Sequence, residues 1–73
     1  MNYTEFALII KEKRIERRIT QKKMAKKLSI SPSKYNKIEN GSSEPSFIEL
    51  LLICNILDID FSFIIKQNEN RKN

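Results

Sequence analysis

Glycine and proline occupy only three of the 73 positions, as Pro32, Gly41 and Pro45. This shortage leaves little room for the tight turns that an all-β fold requires, so we expect an all-α protein. Folding a chain this short buries only about 60% of the surface that the unfolded chain exposes. The core of a monomer is therefore thin, and a partner subunit would add to it.

Polar capping residues mark the starts of the first three predicted helices. Thr4 precedes a helix over about 5–17, where apolar residues fall near helical spacing, and Thr20 precedes a second helix of about two turns. Ser31 is followed by proline, which is harmless at the first helical position, and this pair predicts a third helix over about 32–40. Gly41 then suits the left-handed conformation that ends many helices.

The fourth helix has the clearest sequence signal. Ser46 and Glu49 have the spacing of a capping box, in which each side chain accepts from the backbone N–H of the other, and they predict a helix over 47–57. Asp60 is placed to cap a short fifth helix over 61–65.

These five helices predict a compact five-helix bundle over residues 1–66. The polar segment 67–73 has nothing to bury, and we expect it to be a disordered tail. The second and third helices are separated by about four residues, which is the spacing of a helix-turn-helix unit whose second helix fits a major groove roughly 12 Å wide. Ala25 supplies the small residue where the two helices cross, and the rest of the shared interior is Met24, Leu28, Ile30, Tyr35 and Ile38.

Charge is divided unequally along the chain. Residues 11–37 contain eleven Lys and Arg against two Glu, whereas residues 38–65 contain five carboxylates and no Lys or Arg. A basic half attracts a polyanion such as DNA or RNA, although a solvated helix surface has a similar composition. RNA is the weaker candidate, because an A-form groove is too narrow for a helix and the basic face lacks stacking aromatics.

The third predicted helix has one polar face. If Tyr35 and Ile38 point inward, a helical wheel places the opposite residues outward; these are Ser33, Asn36, Lys37 and Asn40. Small polar and cationic groups without a carboxylate suit base edges and phosphates.

A set of short segments together resembles the Xre/Cro phage-repressor family over about residues 5–65. The segments are Ile19-Thr20-Gln21, Met24-Ala25, Leu28, Ile30-Ser31, Ile38-Glu39-Asn40-Gly41 and Pro45-Ser46. The resemblance implies a five-helix bundle and sequence-specific binding of double-stranded DNA by a small transcriptional regulator, with the helix at about 32–40 in the major groove.

The resemblance, with the helical wheel, also yields candidate site residues. We expect base contacts from Ser33, Asn36 and Lys37. We expect backbone contacts from Thr20, Gln21, Lys22, Lys34, Asn40, Ser42 and Ser43. The resemblance further implies a salt bridge between Arg14 and Glu39.

Three positions depart from the family pattern. Pro32 stands where relatives often have Gln or Arg, which removes one base contact from the expected set. Ser29 and Arg18 stand where relatives favour glycine. A left-handed backbone at Ser29 would cost about 1 kcal/mol.

The predicted fourth helix is apolar on every side, so both of its sides must be covered. We expect Phe47, Leu50, Leu51, Cys54 and Leu57 to face the core. The remaining apolar residues, together with one from the fifth helix, predict an exposed homodimer interface: Ile48, Leu52, Ile56 and Phe63. The alternative is a protein-binding module, such as an antitoxin-like chain, that uses the same patch to hold a different protein.

Catalytic chemistry has little support. The sequence contains no histidine, its single cysteine, Cys54, lies in an apolar run, and the carboxylates show no pairing pattern. We therefore predict no catalytic residue, no metal, no cofactor and no small-molecule substrate. With neither a signal-peptide pattern nor a membrane-spanning stretch, we expect a cytoplasmic, nucleoid-associated protein without a membrane partner.

Overall fold

The computed structural model describes residues 3–62. This part of the chain contains four helices and no strand: α1 (Tyr3–Glu16), α2 (Gln21–Leu28), α3 (Pro32–Glu39) and α4 (Phe47–Ile56). The all-α prediction is confirmed, but the count of five helices is wrong for the described residues. The predicted fifth helix is represented there by the helical Phe61 and Ser62, and the rest of that prediction lies outside them.

The predicted caps explain where three helices begin. The hydroxyl of Thr20 accepts from the backbone N–H of Lys23, and that of Ser31 from Lys34, both at 3.0 Å. At α4 the capping box is complete: Ser46 Oγ accepts from the N–H of Glu49 at 3.1 Å, and Glu49 Oε1 accepts from the N–H of Ser46 at 2.9 Å. Each bond satisfies a donor that a helix terminus leaves free.

The turns after α1, α2 and α4 use left-handed backbone at residues other than glycine. These residues are Arg18 (φ 57°), Ser29 (φ 57°) and Asp58 (φ 54°). At Ser29 the turn is closed by the N–H of Ile30, which donates to the carbonyl of Ala25 at 3.0 Å. This bond reverses the chain within a few residues, so that α3 packs across α2.

The core lies between α2, α3 and the inner sides of α1 and α4. The side chains with the largest volume that are fully buried are Ile10, Met24, Tyr35, Ile38, Ile53 and Leu57. Ala25 is also buried, as expected of a small residue at a helix crossing, and Ile30 packs against the core while partly exposed. The interior predicted for the helix-turn-helix unit is therefore confirmed.

The prediction for α4 is partly wrong. Leu50 packs on the core, and Ile53, Cys54 and Leu57 are buried, which gives one stripe at helical spacing. Phe47 and Leu51, which we expected to face inward, are 63% and 38% exposed. A helix that is apolar all round carries no periodic signal, so only packing against α2 and the rest of the core selects the buried stripe.

The outer side of α4 presents a continuous apolar surface, which we call the α4 apolar face. It consists of Phe47, Ile48, Leu51 and Leu52, of which Ile48 is 63% and Leu52 40% exposed. Ile56, predicted to belong to an exposed patch, is instead half-buried and packs against the core. Phe63, the other predicted member, lies outside the described residues.

Candidate nucleic-acid interface

Helix α3 has the orientation that the helical wheel predicted. Tyr35 and Ile38 are fully buried, whereas Ser33, Asn36 and Lys37 are exposed on the opposite side. Asn40, which caps the helix, continues this exposed row. A helix anchored by two large buried side chains holds its outer face at a defined angle, as a reading element must.

The exposed surface beside this row is cationic. Helix α2 carries four exposed lysines, Lys22, Lys23, Lys26 and Lys27. Lys34 and Lys37 extend the positive charge onto α3. The first turn of α2 contains no acidic residue. Its free N–H groups, at the positive end of the helix dipole, therefore add to the positive charge of the nearby ammonium groups.

A buried ion pair connects the end of α3 to α1. Glu39 is buried at the last position of α3, and Arg14 Nε and Nη2 donate to its two carboxylate oxygens, each at 2.8 Å. Although burial raises the pKa of Glu39, hydrogen bonds from Arg14 and Gln21, together with the nearby Tyr35 hydroxyl, lower it below the ordinary value. Glu39 is therefore ionised, and it joins α3 to α1.

A polar network of five residues begins at this carboxylate and continues on the exposed side: Glu39, Gln21, Asn36, Asn40 and Ser42. Gln21 Nε2 donates to Glu39 Oε1 at 3.1 Å, and Asn36 Nδ2 donates to Gln21 Oε1 at 3.2 Å. Asn40 Nδ2 donates to Asn36 Oδ1 at 3.4 Å, and Asn40 Oδ1 accepts from the Ser42 N–H at 3.0 Å and its hydroxyl at 2.6 Å. The network connects α2, α3 and the following loop.

The loop after α3 is held by contacts that the sequence analysis missed. The Tyr3 hydroxyl donates to the carbonyl of Ile38 at 2.7 Å and also contacts the carbonyl of Ser43. Burial, with Glu44 and Glu49 nearby, raises the pKa of Tyr3 to about 12, so the phenol remains a neutral donor. No local pattern marks this role, because Tyr3 lies 35 and 40 residues from its two partners.

Lys34 and Glu49 form an ion pair between α3 and α4. Lys34 Nζ lies 3.1 Å from Glu49 Oε2, and the lysine side chain is half exposed. The hydrogen bond from the backbone of Ser46 lowers the pKa of Glu49. Partial burial acts in the opposite direction, and the nearby Lys34 lowers the pKa further. The candidate backbone contact Lys34 is therefore already paired within the free protein.

The remaining candidate residues lie around α3 as follows. Thr20 is exposed but its hydroxyl caps α2, Lys22 is exposed beside it, and Ser42 and Ser43 lie in the anchored loop.

In residues 3–62 no three His, Cys, Asp or Glu side chains are grouped so that they would hold a metal ion. Within the same range, no helix has the length and apolar character needed to cross a membrane. Burial raises the pKa of the Cys54 thiol, as expected of a core side chain.

Comparison with known proteins places the chain in a family. A family model described as helix-turn-helix matches residues 10–64. YqaE, an uncharacterized HTH-type transcriptional regulator of Bacillus subtilis (strain 168), is 37% identical over 67 residues, which are 92% of this chain and 58% of the relative. The chain thus spans little more than half the length of this relative. The matched range includes α2, its turn and α3 in full, and the chain belongs to the Xre/Cro-type helix-turn-helix family.

Proposed function

We propose that this chain is a transcriptional regulator that binds double-stranded DNA sequence-specifically, with α3 in the major groove. The observation that carries the proposal is the outer face of α3, which combines exposed amide, hydroxyl and ammonium groups and includes no exposed carboxylate. Each of these groups has a partner on DNA, because amides and ammonium groups pair with base edges and all three donate to phosphate. Its site of action is then the nucleoid.

Base reading falls to Ser33, Asn36 and Lys37 in this proposal. All three are exposed, whereas Tyr35 and Ile38 form the buried side of α3. Lysine pairs with the acceptors of guanine, asparagine with adenine, and serine with either base. Pro32 at the start of the helix offers no side-chain donor, so the reading surface begins at Ser33.

Backbone contacts fall to the residues around this reading surface. The first N–H groups of α2 and the side chains of Thr20, Gln21 and Lys22 lie beside the C-terminal half of α3, where Gln21 bonds to Asn36 and Glu39, and a helix N-terminus favours phosphate. Asn40, Ser42 and Ser43 follow beyond the last turn of α3. Lys34 supplies a further cation if it exchanges Glu49 for a phosphate.

Dimerisation is the second part of the proposal. The α4 apolar face supports it, because each aliphatic side chain that becomes fully buried contributes about 1.5–3 kcal/mol. A two-fold symmetric dimer would carry two copies of α3 to the half-sites of a palindromic operator. Ile48 and Leu52 are the central members of this interface.

A protein-binding module is the alternative, and the same exposed face favours it. An antitoxin-like chain would cover the α4 apolar face with a different protein. DNA binding and partner binding are then compatible, because they use different residues of one small domain. Light scattering on the purified chain separates the two: a concentration-dependent dimer supports self-association, whereas a monomer at all concentrations supports a different partner.

Selection of bound sequences from random duplex DNA tests the function itself. We expect one enriched motif with two-fold symmetry. Titration of that duplex against a scrambled duplex should then give tighter binding to the selected one, with affinity for both decreasing as salt rises. Recovery of no motif, with equal affinity for every duplex, would contradict sequence-specific binding, and preference for an RNA duplex would redirect the proposal.

A further inference from the structure

We propose that Gln21 determines which base is read, without touching it, by fixing the orientation of the Asn36 carboxamide. The inference rests on the proposed DNA binding and gives Gln21 a positioning role in addition to its proposed phosphate contact. The inference follows from the direction of the hydrogen bonds in the polar network, in which each carboxamide is oriented by its hydrogen bond to the neighbouring residue.

One end of the polar network has a fixed polarity because it is a carboxylate. Glu39 is buried and ionised beside Arg14, so it only accepts hydrogen bonds. The group of Gln21 that faces it, at 3.1 Å, must then be the donor Nε2. The other end of the carboxamide, Oε1, is consequently an acceptor directed at Asn36, whose Nδ2 lies 3.2 Å away.

The opposite end of the network has a fixed polarity for a different reason. The backbone N–H of Ser42 only donates, so the atom of Asn40 that lies 3.0 Å from it must be the acceptor Oδ1. Asn40 Nδ2 therefore faces Asn36 and meets its Oδ1 at 3.4 Å. Both ends impose the same orientation on Asn36, with Nδ2 toward α2 and Oδ1 toward the loop.

Asn36 keeps enough hydrogen-bonding capacity to read a base in that orientation. An amide nitrogen has two N–H groups and an amide oxygen accepts twice, so one donor and one acceptor remain after the internal bonds are counted. These two groups side by side match N7 and N6 of adenine. A reversed carboxamide would interchange donor and acceptor, and a freely rotating one would read with lower discrimination. Gln21 is thus a positioning residue for an adenine contact.

The test uses Gln21→Met, which keeps the length of the side chain and removes both of its hydrogen bonds. Its matched control is Lys22→Met, the same replacement at the neighbouring exposed position. Each variant is titrated against the selected duplex and against duplexes that carry the other base pairs at the position where Asn36→Ala relaxes selection. Circular dichroism on the same samples establishes that each variant is folded.

We expect Asn36→Ala to lose roughly 5- to 150-fold of preference at one base pair of the half-site. Gln21→Met should lose preference at that same base pair, and the double variant should lose no more than Asn36→Ala alone. Lys22→Met should weaken binding to all duplexes by a similar factor. If Gln21→Met instead weakens binding to all duplexes equally, the inference is wrong while the proposed function stands. If the unaltered protein prefers no sequence, both are wrong.

A second measurement needs neither DNA nor a variant. In the free protein, NMR couplings and nuclear Overhauser effects should define a single Asn36 rotamer, with its side-chain amide protons close to Gln21. Averaging of that side chain among rotamers would overturn the inference even if Gln21→Met failed to fold.

Discussion

Arg14 and Glu39 meet in a two-pronged ion pair, with Nε on Oε2 and Nη2 on Oε1, both at 2.8 Å. The third nitrogen, Nη1, donates to the carbonyl of Ile19 at 2.7 Å. One guanidinium therefore joins the end of α1, the segment before α2 and the last residue of α3. Planar two-point binding of this kind is specific to arginine, and the pair maintains the angle at which α3 is presented.

Removing Arg14 should destabilise the fold strongly. The two side chains are only 12% and 1% exposed, so Arg14→Met leaves a buried carboxylate without its cation, at a cost of about 3–5 kcal/mol. Chemical unfolding measures the change. Arg17→Met is the matched control, because the Arg17–Asp58 pair spans 3.5 Å at the surface and such pairs contribute about 0–1 kcal/mol. Equal effects of the two substitutions would contradict the structural role of Arg14.

Stability should depend on Glu39 in acid. The pKa of Glu39 is lower in the folded protein than its ordinary value, so the unfolded chain takes up the proton first. The contribution of Glu39 is complete above the unfolded pKa of about 4.3 and is lost as the pH falls through the lower folded pKa. In unfolding titrations at a series of pH values, Glu39→Gln should flatten this acid limb. Glu49→Gln should retain most of the loss of unfolding free energy in acid. If Glu39→Gln loses stability in acid as steeply as the unaltered protein, Glu39 is not the group responsible.

Ser29→Gly should stabilise the protein by about 1 kcal/mol, because Ser29 is exposed and holds φ 57°, a region that costs residues with a Cβ but not glycine. Thermal unfolding measures the change. The control Lys26→Gly places glycine within α2, where it should lower stability by roughly 0.5–1 kcal/mol. A loss of stability in both variants would show that the turn does not strain Ser29.

Ile48→Lys combined with Leu52→Lys should give a folded monomer. Both side chains lie on the α4 apolar face, so lysines there reach solvent and leave the buried stripe intact. Ile56 is left unchanged, because it packs on the core. Light scattering should show loss of the dimer, and DNA affinity should drop because only one half-site is held.

Ile15→Lys is the control for that double variant, since Ile15 is 55% exposed on α1 and lies outside the α4 apolar face. It should retain the dimer. An unfolded double variant would place the α4 apolar face in the monomer core, and a persistent dimer would place the interface elsewhere.

Lys37→Ala should reduce discrimination among DNA sequences. Lys37 is exposed in the last turn of α3, and loss of a base contact costs about 1–3 kcal/mol on the preferred site and much less on scrambled DNA. Competition titrations on both duplexes measure this difference. Lys26→Ala removes an equal charge from α2 and should not alter discrimination. Equal loss on both duplexes in Lys37→Ala would reassign Lys37 to the phosphates.

The starts of α2, α3 and α4 and the direction of α3 could be predicted from the sequence because they are local. The start of the first helix was predicted wrongly, since Thr4, its expected cap, lies inside α1. A cap such as Ser31 bonds to an N–H three residues away, and the capping box of Ser46 and Glu49 spans the same distance. The face of α3 follows from the position of Tyr35 and Ile38 on one wheel. The three exposed candidates for base reading were identified in this way.

Long-range packing alone decided the rest. Helix α4 is apolar on all sides, so its sequence does not specify a buried stripe, and contact with the rest of the core selected Ile53 over Phe47. The bond between Asn36 and Gln21 joins residues 15 apart in sequence. Hydrogen bonds across such separations depend on where two helices cross, and that geometry exists only once the core has packed.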